Sequence, residues 1–176
     1  RAGFFQNHSL LEFKKFVEMH IWALNFALDG IPAEKVRLHA CWGNRNSPHV
    51  HDIPCPEILP LLYQANVGAI SLPFANPRHA HEVEAFHDYP LPDHMILMPG
   101  VIETVTNYVE HPEVVAERLI RSVQAIGDRE RIVASTDCGF STLAGDAFVA
   151  EDVVWAKLSS LVEGAVIASK CLWGRS

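Results

Sequence analysis

The spacing of apolar residues along the chain predicts helices that alternate with short strands. Over residues 9–29, apolar side chains recur three and four residues apart, which is typical of a helix with one buried face. Ser9 can cap the first turn of this helix, and Gly30 and Pro32 end it. The same reasoning predicts further helices over residues 56–65, 79–87, 111–126 and 151–172.

Four apolar segments without helical periodicity predict strands at residues 36–42, 68–72, 95–102 and 131–135. Nearly continuous apolar strands that alternate with helices are typical of a parallel sheet with helical crossovers, an α/β fold. Four such units fit a small doubly wound sheet or half of an eightfold barrel, because a complete barrel usually needs about 250 residues. The long loops after the strands, rich in Gly, Pro, His and Asn, favour the barrel.

Composition and charge exclude some classes of function. The formal net charge of −7 argues against a nucleic-acid partner, and no cluster of lysines and arginines opposes that conclusion. No apolar stretch has membrane-spanning length and the start does not resemble a signal peptide, so we expect a cytoplasmic protein that does not bind membranes. The chain opens on Arg1 and soon enters a helix, which suggests a fragment or a processed piece.

The candidate chemistry lies where two predicted strands end. His39 and Cys41 are two residues apart on a strand, so their side chains point the same way, and Cys138 directly follows the fourth strand. Parallel strands bring their carboxyl ends to one edge, so we expect these three side chains to converge. One imidazole and two thiolates suit zinc and leave one coordination position open. The alternative is a hydrogen-bonded structural histidine with cysteines that pack as small apolar residues.

Polar residues that follow the other strands are candidates to line the same site. Arg78 could hold a substrate carboxylate or sulfonate in a bidentate contact. Glu103 could face a substrate ammonium or pair with an arginine, and Asp137 could orient a ligand or the substrate. A solvated loop is the alternative for the segment that contains Arg78. Two further groups are candidates. His79, His81 and Glu82 could support the metal ligands, and Thr106 and Asn107 could line the site.

Several other histidines and cysteines have structural alternatives. His49, His51 and Asp52 could add metal ligands, but their proline-rich loop favours exposure to solvent. Cys55 could place a thiol near the site. Cys171 lies among apolar residues of the last helix, and we expect it to pack in the core.

Five segments carry a resemblance to a known family: VRLHACWGN, ANPRHAHE, PGVIETVTNYVEHPE, STDCGF and WAKLSSLVEGA. In these segments the chain resembles the cobalamin-independent methionine synthase superfamily, above all its short single-barrel members related to epoxyalkane:coenzyme M transferase. The resemblance implies a TIM barrel whose carboxyl-terminal half carries zinc. It places residues 1–176 on that half of a single domain, as four βα units, and implies that His39, Cys41 and Cys138 are the zinc ligands.

The resemblance also implies a zinc-dependent transferase that activates a thiol as a zinc-bound thiolate and alkylates it. In methionine synthase, the methyl group of methyltetrahydrofolate passes to homocysteine. The partners would be a small thiol and an alkyl donor. From the resemblance and the individual residues together, we predict catalytic roles for Asp137 and Glu103. We also predict substrate contacts at Arg78, His79 and Asn107.

The chain departs from the family at Pro73, where methionine synthases have a glutamate that ligates zinc. The fourth ligand would then be water, the substrate or another residue such as Glu82. Other interpretations stay open: a coenzyme M transferase-like enzyme, a corrinoid-dependent thiol methyltransferase, a uroporphyrinogen decarboxylase-like lyase that needs no zinc, or an inactive zinc-binding fragment. Four strands with two open edges aggregate easily, so we expect the missing amino-terminal half-barrel or a second copy as partner.

Overall fold

The computed structural model describes residues 8–145 and 147–174. The parts of the predicted domain at residues 1–7, 146 and 175–176 lie outside this description. The elements in chain order are α1 (Leu10–Ala27), β1 (Arg37–His39), α2 (Cys55–Leu62), β2 (Ala69–Pro73), a 3₁₀ segment (Ala80–His87), β3 (Ile96–Ile102), α3 (Pro112–Ile126), β4 (Ser135–Thr136) and α4 (Glu151–Trp173). Short 3₁₀ turns at Ala33–Lys35 and Arg129–Arg131 precede β1 and β4.

The four strands form one parallel sheet in the order β1-β2-β3-β4. Each strand therefore lies beside its neighbour in the sequence, as in a barrel, whereas a doubly wound sheet reverses its strand order. The fold is thus α/β and matches part of a TIM barrel. The crossover from β2 to β3 is the 3₁₀ segment, so α-helices follow only β1, β3 and β4 among the described elements.

Local sequence signals explain where the helices begin and end. The Ser9 side chain accepts the Glu12 backbone N–H, and the Glu12 carboxylate accepts the Ser9 N–H, which completes a capping box at α1. Pro112 occupies the first turn of α3, and Gly127 ends that helix with φ of +80°.

Two strands are shorter than the apolar pattern predicts. In β1 only Arg37–His39 pair with β2, so Cys41 lies just beyond the strand. The predicted strand at residues 131–135 is wrong in its bounds, because Arg131 belongs to a 3₁₀ turn and Ile132 makes only an isolated bridge to Leu97. Both short strands lie at the edges of the sheet, where the part of the chain that the structure describes pairs with them on one side only.

The core consists of two clusters that pack the sheet against its helices. The larger cluster packs Ile70 and Leu97 of the sheet with Leu59 of α2 and Phe86 of the 3₁₀ segment. The second packs β3 with α3 and α4 through Val101, Ile102, Val115, Leu119 and Ala168. These two clusters hold the strands against their helices, while the loops at the carboxyl ends of the strands are available to form a site. Among the described helices, none is long and apolar enough to cross a membrane.

Gly100 of β3 permits a close approach between β3 and the end of β4. A Cβ atom at this position would lie 2.2 Å from Asp137 Oδ1 and 2.6 Å from Asp137 Cα. Asp137 is buried, and its backbone N–H donates to the Ile102 carbonyl at 2.8 Å. Because glycine has no side chain, Gly100 allows Asp137 and the adjoining Cys138 to lie close to β3.

Replacing Gly100 with alanine is expected to lower the free energy of unfolding by about 1–3 kcal/mol, because the new methyl group must displace backbone as well as side-chain atoms of Asp137. Urea unfolding measures the change. Gly139→Ala is the matched control, since a Cβ there meets only Thr142 Cγ2 at an ordinary contact distance of 3.5 Å. Equal stabilities of the two variants would show that β3 does not constrain Asp137.

Candidate metal centre

The structure brings His39, Cys41 and Cys138 together at the carboxyl edge of the sheet. Their ligand atoms all lie within 4.8 Å of one another, and the Cys138 sulfur is 3.4 Å from His39 Nε2. His39 ends β1 and Cys138 follows β4, so side chains from the carboxyl ends of the two outer strands come together. His39 and Cys41 are exposed and Cys138 is half-buried, so the cluster has an open side.

The spacing of these atoms fits zinc. Zinc binds cysteine sulfur at about 2.3 Å and histidine nitrogen at about 2.1 Å, so tetrahedral angles separate the two ligand atoms by about 3.6 Å. The observed separation of 3.4 Å between Cys138 Sγ and His39 Nε2 is close to this value. His39 Nδ1 lies 3.3 Å from the Ser71 hydroxyl, so the other ring nitrogen has a partner that orients the imidazole, as is usual for metal-binding histidines.

The two thiols and the imidazole influence one another's protonation. Hydrogen bonds from Cys138 and His39 lower the pKa of Cys41 to about 4. The contact with Cys41 and burial raise the pKa of Cys138, and the hydrogen bond with Cys41 raises the pKa of His39. The group thus holds one thiolate readily, and a divalent cation beside it would favour ionisation of the second thiol.

Both predicted catalytic carboxylates are buried beside the cluster. The two carboxylate oxygens of Asp137 accept the backbone N–H groups of Ala75 and Asn76 at 2.8 and 2.9 Å, so Asp137 fixes the loop after β2. Burial raises the pKa of Asp137 to about 7, although these two hydrogen bonds lower it. Glu103 accepts from the Val105 N–H and the Thr106 hydroxyl. A pocket next to the cluster is lined by residues that include Cys41, Cys138, Asp137 and Glu103.

The three predicted substrate contacts lie in different surroundings. His79 lines the same pocket and is buried, with its ring stacked on Trp42 at 4.0 Å between centroids. Arg78 is exposed and donates from Nε to the His49 carbonyl, while the Asn107 amide binds the segment before α4 through Phe148. Neither Arg78 nor Asn107 is among the described residues that line the pocket. Their roles as substrate contacts stay predictions.

Burial was wrongly predicted for several side chains. The expectation of solvent exposure fails for His49 and Asp52, whose side chains are 8% and 3% exposed, but His51 is exposed. The loop folds inward because Trp42 donates to the Ile53 carbonyl and stacks on His79. Cys171 is exposed on α4 and does not pack in the core.

Two candidates for the neighbourhood of the metal are engaged elsewhere. The Cys55 thiol is fully buried in the larger core cluster, and burial raises its pKa. Glu82, a candidate fourth ligand, lies against His79 at 2.7 Å and accepts the Cys55 backbone N–H. It is not part of the group formed by His39, Cys41 and Cys138. At Pro73 the backbone belongs to β2, and the residue lines the pocket.

Comparison with known proteins gives two matches of interest, whereas no family model matches the chain. The chain is 27% identical to 2-hydroxypropyl-CoM lyase of Xanthobacter autotrophicus over 178 residues, which cover 86% of this chain and 45% of that protein. The fold is similar to that of a B12-independent methionine synthase from Shewanella sp. W3-18-1, solved in complex with selenomethionine. That match has a TM-score of 0.74 and 23% identity, and it covers 94% of this chain and 47% of the other.

These matches support the superfamily resemblance seen in the sequence. Both similar proteins are enzymes by name, and the methionine synthase match shows the fold that the two chains share. The chain spans less than half the length of either relative.

Asn44 is a site residue that the sequence analysis did not single out. Its side-chain amide donates to the Gly139 carbonyl at 2.8 Å, and its amide oxygen accepts the Thr104 hydroxyl at 2.8 Å. It therefore joins the loop that carries Cys41 to the loop that carries Cys138. Only the position of Asn44 inside the segment VRLHACWGN could have indicated a role, because one asparagine in a glycine-containing loop is ordinary turn chemistry.

Replacing Asn44 with alanine is expected to weaken zinc binding about 10–100-fold, the usual effect of removing a residue that orients metal ligands. Without the amide of Asn44, the loop that carries Cys41 loses its hydrogen bonds to the Gly139 carbonyl and the Thr142 hydroxyl in the loop that carries Cys138. Competition with a chromogenic chelator measures the affinity. Asn46→Ala, at an exposed position in the same loop, is the control. Unchanged affinity in the Asn44 variant would mean that the two loops hold their positions independently.

Proposed function

We propose that this chain is the zinc-binding half of a TIM-barrel enzyme that alkylates a thiol. The observation that carries the proposal is the convergence of one imidazole and two thiols within 4.8 Å, with an exposed side and an adjoining pocket. This set supplies three ligands and leaves room for one more, as in catalytic zinc sites. The superfamily resemblance, together with the similarity to 2-hydroxypropyl-CoM lyase and to the fold of a methionine synthase, supports the same class of chemistry.

The residues of this chain would each have a distinct task. His39, Cys41 and Cys138 would hold the ion, with Ser71 orienting the imidazole and Asn44 joining the two ligand loops. When bound, zinc lowers the pKa of a substrate thiol so that it reacts as a thiolate near neutral pH.

Buried carboxylates would fix the walls of the pocket. Asp137 holds the loop after β2 through Ala75 and Asn76, and Glu103 holds the loop after β3 through Val105 and Thr106. Both loops border the pocket where the alkyl donor would have to meet the thiol. Positioning of two reactants is the main contribution that such walls make to a bimolecular transfer.

A methionine synthase-like reaction, with methyltetrahydrofolate as donor and homocysteine as thiol, is the form of the proposal that we favour. A coenzyme M-type thiol is the second candidate, favoured by the similarity to 2-hydroxypropyl-CoM lyase. Pro73 provides no side-chain ligand, and Glu82 is bound to His79 and the Cys55 N–H, so we propose that water or the substrate takes the fourth position.

A partner would complete the barrel. Within the described residues the sheet ends at β1 on one side and β4 on the other, and unpaired strand edges tend to pair with another chain. Large apolar side chains are exposed on the two outer helices, among them Trp22 and Phe26 on α1 and Trp155 and Val162 on α4. We propose that the other half of a barrel, or a second copy of the chain, covers these edges and faces.

Contact with a substrate ammonium is a second role proposed for Glu103, and it would distinguish amino thiols from other thiols. If its carboxylate attracts a substrate ammonium, Glu103→Gln is expected to raise KM for homocysteine about tenfold, the effect of losing one charge-assisted hydrogen bond. The KM for a thiol without an amine, such as coenzyme M, should stay the same. Steady-state kinetics with both thiols measure the difference. Equal changes for the two thiols would assign Glu103 only to holding its loop.

The proposal as a whole is tested with the zinc-loaded chain, alone and combined with any segment that completes the barrel. Homocysteine and coenzyme M are each offered with methyltetrahydrofolate, methylcobalamin or an epoxide, and S-alkylated product is detected by mass spectrometry. Product from methyltetrahydrofolate and homocysteine supports the methionine synthase-like form. Product only with methylcobalamin indicates a corrinoid-dependent enzyme, and only with an epoxide a coenzyme M-type enzyme. Absence of bound zinc, or zinc without product from any pair, contradicts thiol alkylation.

A further inference from the structure

A second group of metal-ligating side chains lies apart from the first, at His49, Asp52 and His79. Their ligand atoms lie within 4.8 Å of one another. His49 Nδ1 and His79 Nε2 both face one carboxylate oxygen, Asp52 Oδ2, at 2.7 and 2.9 Å. The three side chains are only 8%, 3% and 7% exposed, so they are shielded from water far more than ordinary surface polar residues.

The outer nitrogen of each imidazole already has the partner that a metal-bound histidine needs. His49 Nε2 donates to the Arg45 carbonyl at 2.9 Å, and His79 Nδ1 lies 2.7 Å from the Glu82 carboxylate. Glu82 is itself held by the Cys55 backbone N–H. Histidines that bind metals almost always donate their second N–H to a carbonyl or a carboxylate, which fixes the ring and the tautomer. Both rings therefore present their remaining nitrogen to Asp52.

Asp52 has an unused coordinating atom. Its Oδ1 is buried and has no hydrogen-bond partner among the described residues, although the side chain is only 3% exposed. Buried carboxylate oxygens are normally paired, because removal from water without a partner is costly. An ion held by this carboxylate would give Asp52 Oδ1 a partner.

Charge balance favours a divalent ion. With the outer nitrogens of His49 and His79 donating, each short contact to Asp52 needs a proton, so two protons must lie between the rings and the carboxylate. One divalent cation can replace these two protons and leave the net charge of the buried group unchanged. Two imidazoles and a carboxylate are also a ligand set that suits zinc and other first-row divalent ions.

We infer that His49, Asp52 and His79 form a second divalent-metal site, of nitrogen and oxygen ligands, beside the sulfur-containing site. Both sites open on one pocket, which is lined by Cys41, Cys138, His49 and His79 among others. An ion at the second site would join the loop between β1 and α2 to the start of the 3₁₀ segment. It would therefore fix one wall of the pocket, with Trp42 stacked on His79 as part of that wall.

The test is the zinc content of the chain after equilibrium dialysis against Zn²⁺, measured by elemental mass spectrometry. The unaltered chain is expected to hold two ions. The Cys41→Ser/Cys138→Ser chain should retain one, and the His49→Gln/Asp52→Asn chain should also retain one. His51→Gln/His81→Gln changes two exposed histidines next to the site and is the control that should keep both ions. Far-ultraviolet circular dichroism establishes that each variant is folded.

Cobalt substitution identifies the ligand atoms directly, rather than from the loss of an ion in a variant. Co²⁺ in the Cys41→Ser/Cys138→Ser chain should show visible ligand-field bands but no thiolate charge-transfer band, because the remaining site contains only nitrogen and oxygen ligands. A single ion in the unaltered chain that is lost only with the cysteines would overturn this inference and leave the proposed function standing. A second ion that persists in the His49→Gln/Asp52→Asn chain would also overturn it. A single ion lost only in that variant would support the second site and contradict the proposed function.

Discussion

Serine in place of Cys138 is expected to remove the ion from the sulfur-containing site and to reduce turnover to background. The Cys138 sulfur lies 3.4 Å from His39 Nε2 and completes the group with Cys41. A serine hydroxyl stays protonated near neutral pH, so the site would keep one imidazole and one thiolate. We expect zinc affinity there to fall by at least about 100-fold, more than the loss of a residue that only orients a ligand.

Zinc content and S-alkylated product are measured on the same preparation. Cys171→Ser is the matched control, because it removes a thiol from an exposed position on α4, distant in sequence from the site. This control should match the unaltered chain in both measurements. If Cys138→Ser retains all of its zinc and its activity, Cys138 is not a ligand.

Methionine in place of Lys157 is expected to destabilise the fold by about 3–5 kcal/mol, because it leaves the Glu110 carboxylate buried without its cation. Lys157 is completely buried, and its ammonium donates to Glu110 Oε2 at 2.9 Å. The other oxygen of Glu110 accepts the Glu103 backbone N–H at 2.8 Å. The ion pair therefore connects α4 to the loop that carries Glu103.

Urea unfolding of Lys157→Met, compared with Lys170→Met, measures this effect. Lys170 is exposed on the same helix, so its replacement should change stability by less than about 0.5 kcal/mol. Adding Glu110→Gln to Lys157→Met should restore part of the loss, since the buried charge is then gone. A loss below about 1 kcal/mol in Lys157→Met would mean that water or Arg118, whose Nη1 lies 4.0 Å from Glu110, compensates the carboxylate.

Local sequence signals were enough to predict most of the helices and the parallel sheet. The capping box at Ser9, Pro112 in the first turn of α3 and Gly127 after it are local rules that need no tertiary contacts. The convergence of His39, Cys41 and Cys138 also followed from the sequence, because parallel strands place their carboxyl ends at one edge. Their role as zinc ligands stays a prediction.

Features that depend on tertiary contacts could not be predicted. The loop with His49 and Asp52 has the composition of an exposed segment, yet contacts of Trp42 with Ile53 and His79 bury it. His49 also adopts a φ of +52°, a left-handed conformation that no local pattern demanded. Cys171 lies among apolar neighbours in the sequence but on the outer face of α4, where the apolar surface is not covered within the described residues.

The most direct test of the proposed thiol chemistry is the near-ultraviolet spectrum of the cobalt-loaded chain before and after addition of homocysteine. Cys41 and Cys138 should give a charge-transfer band from two thiolates, to which a site of nitrogen and oxygen ligands adds nothing. Binding of a substrate thiolate at the open position should raise that band by about half, since three thiolates replace two. The absence of the band, or a band that stays constant with saturating homocysteine and with coenzyme M, would contradict the account.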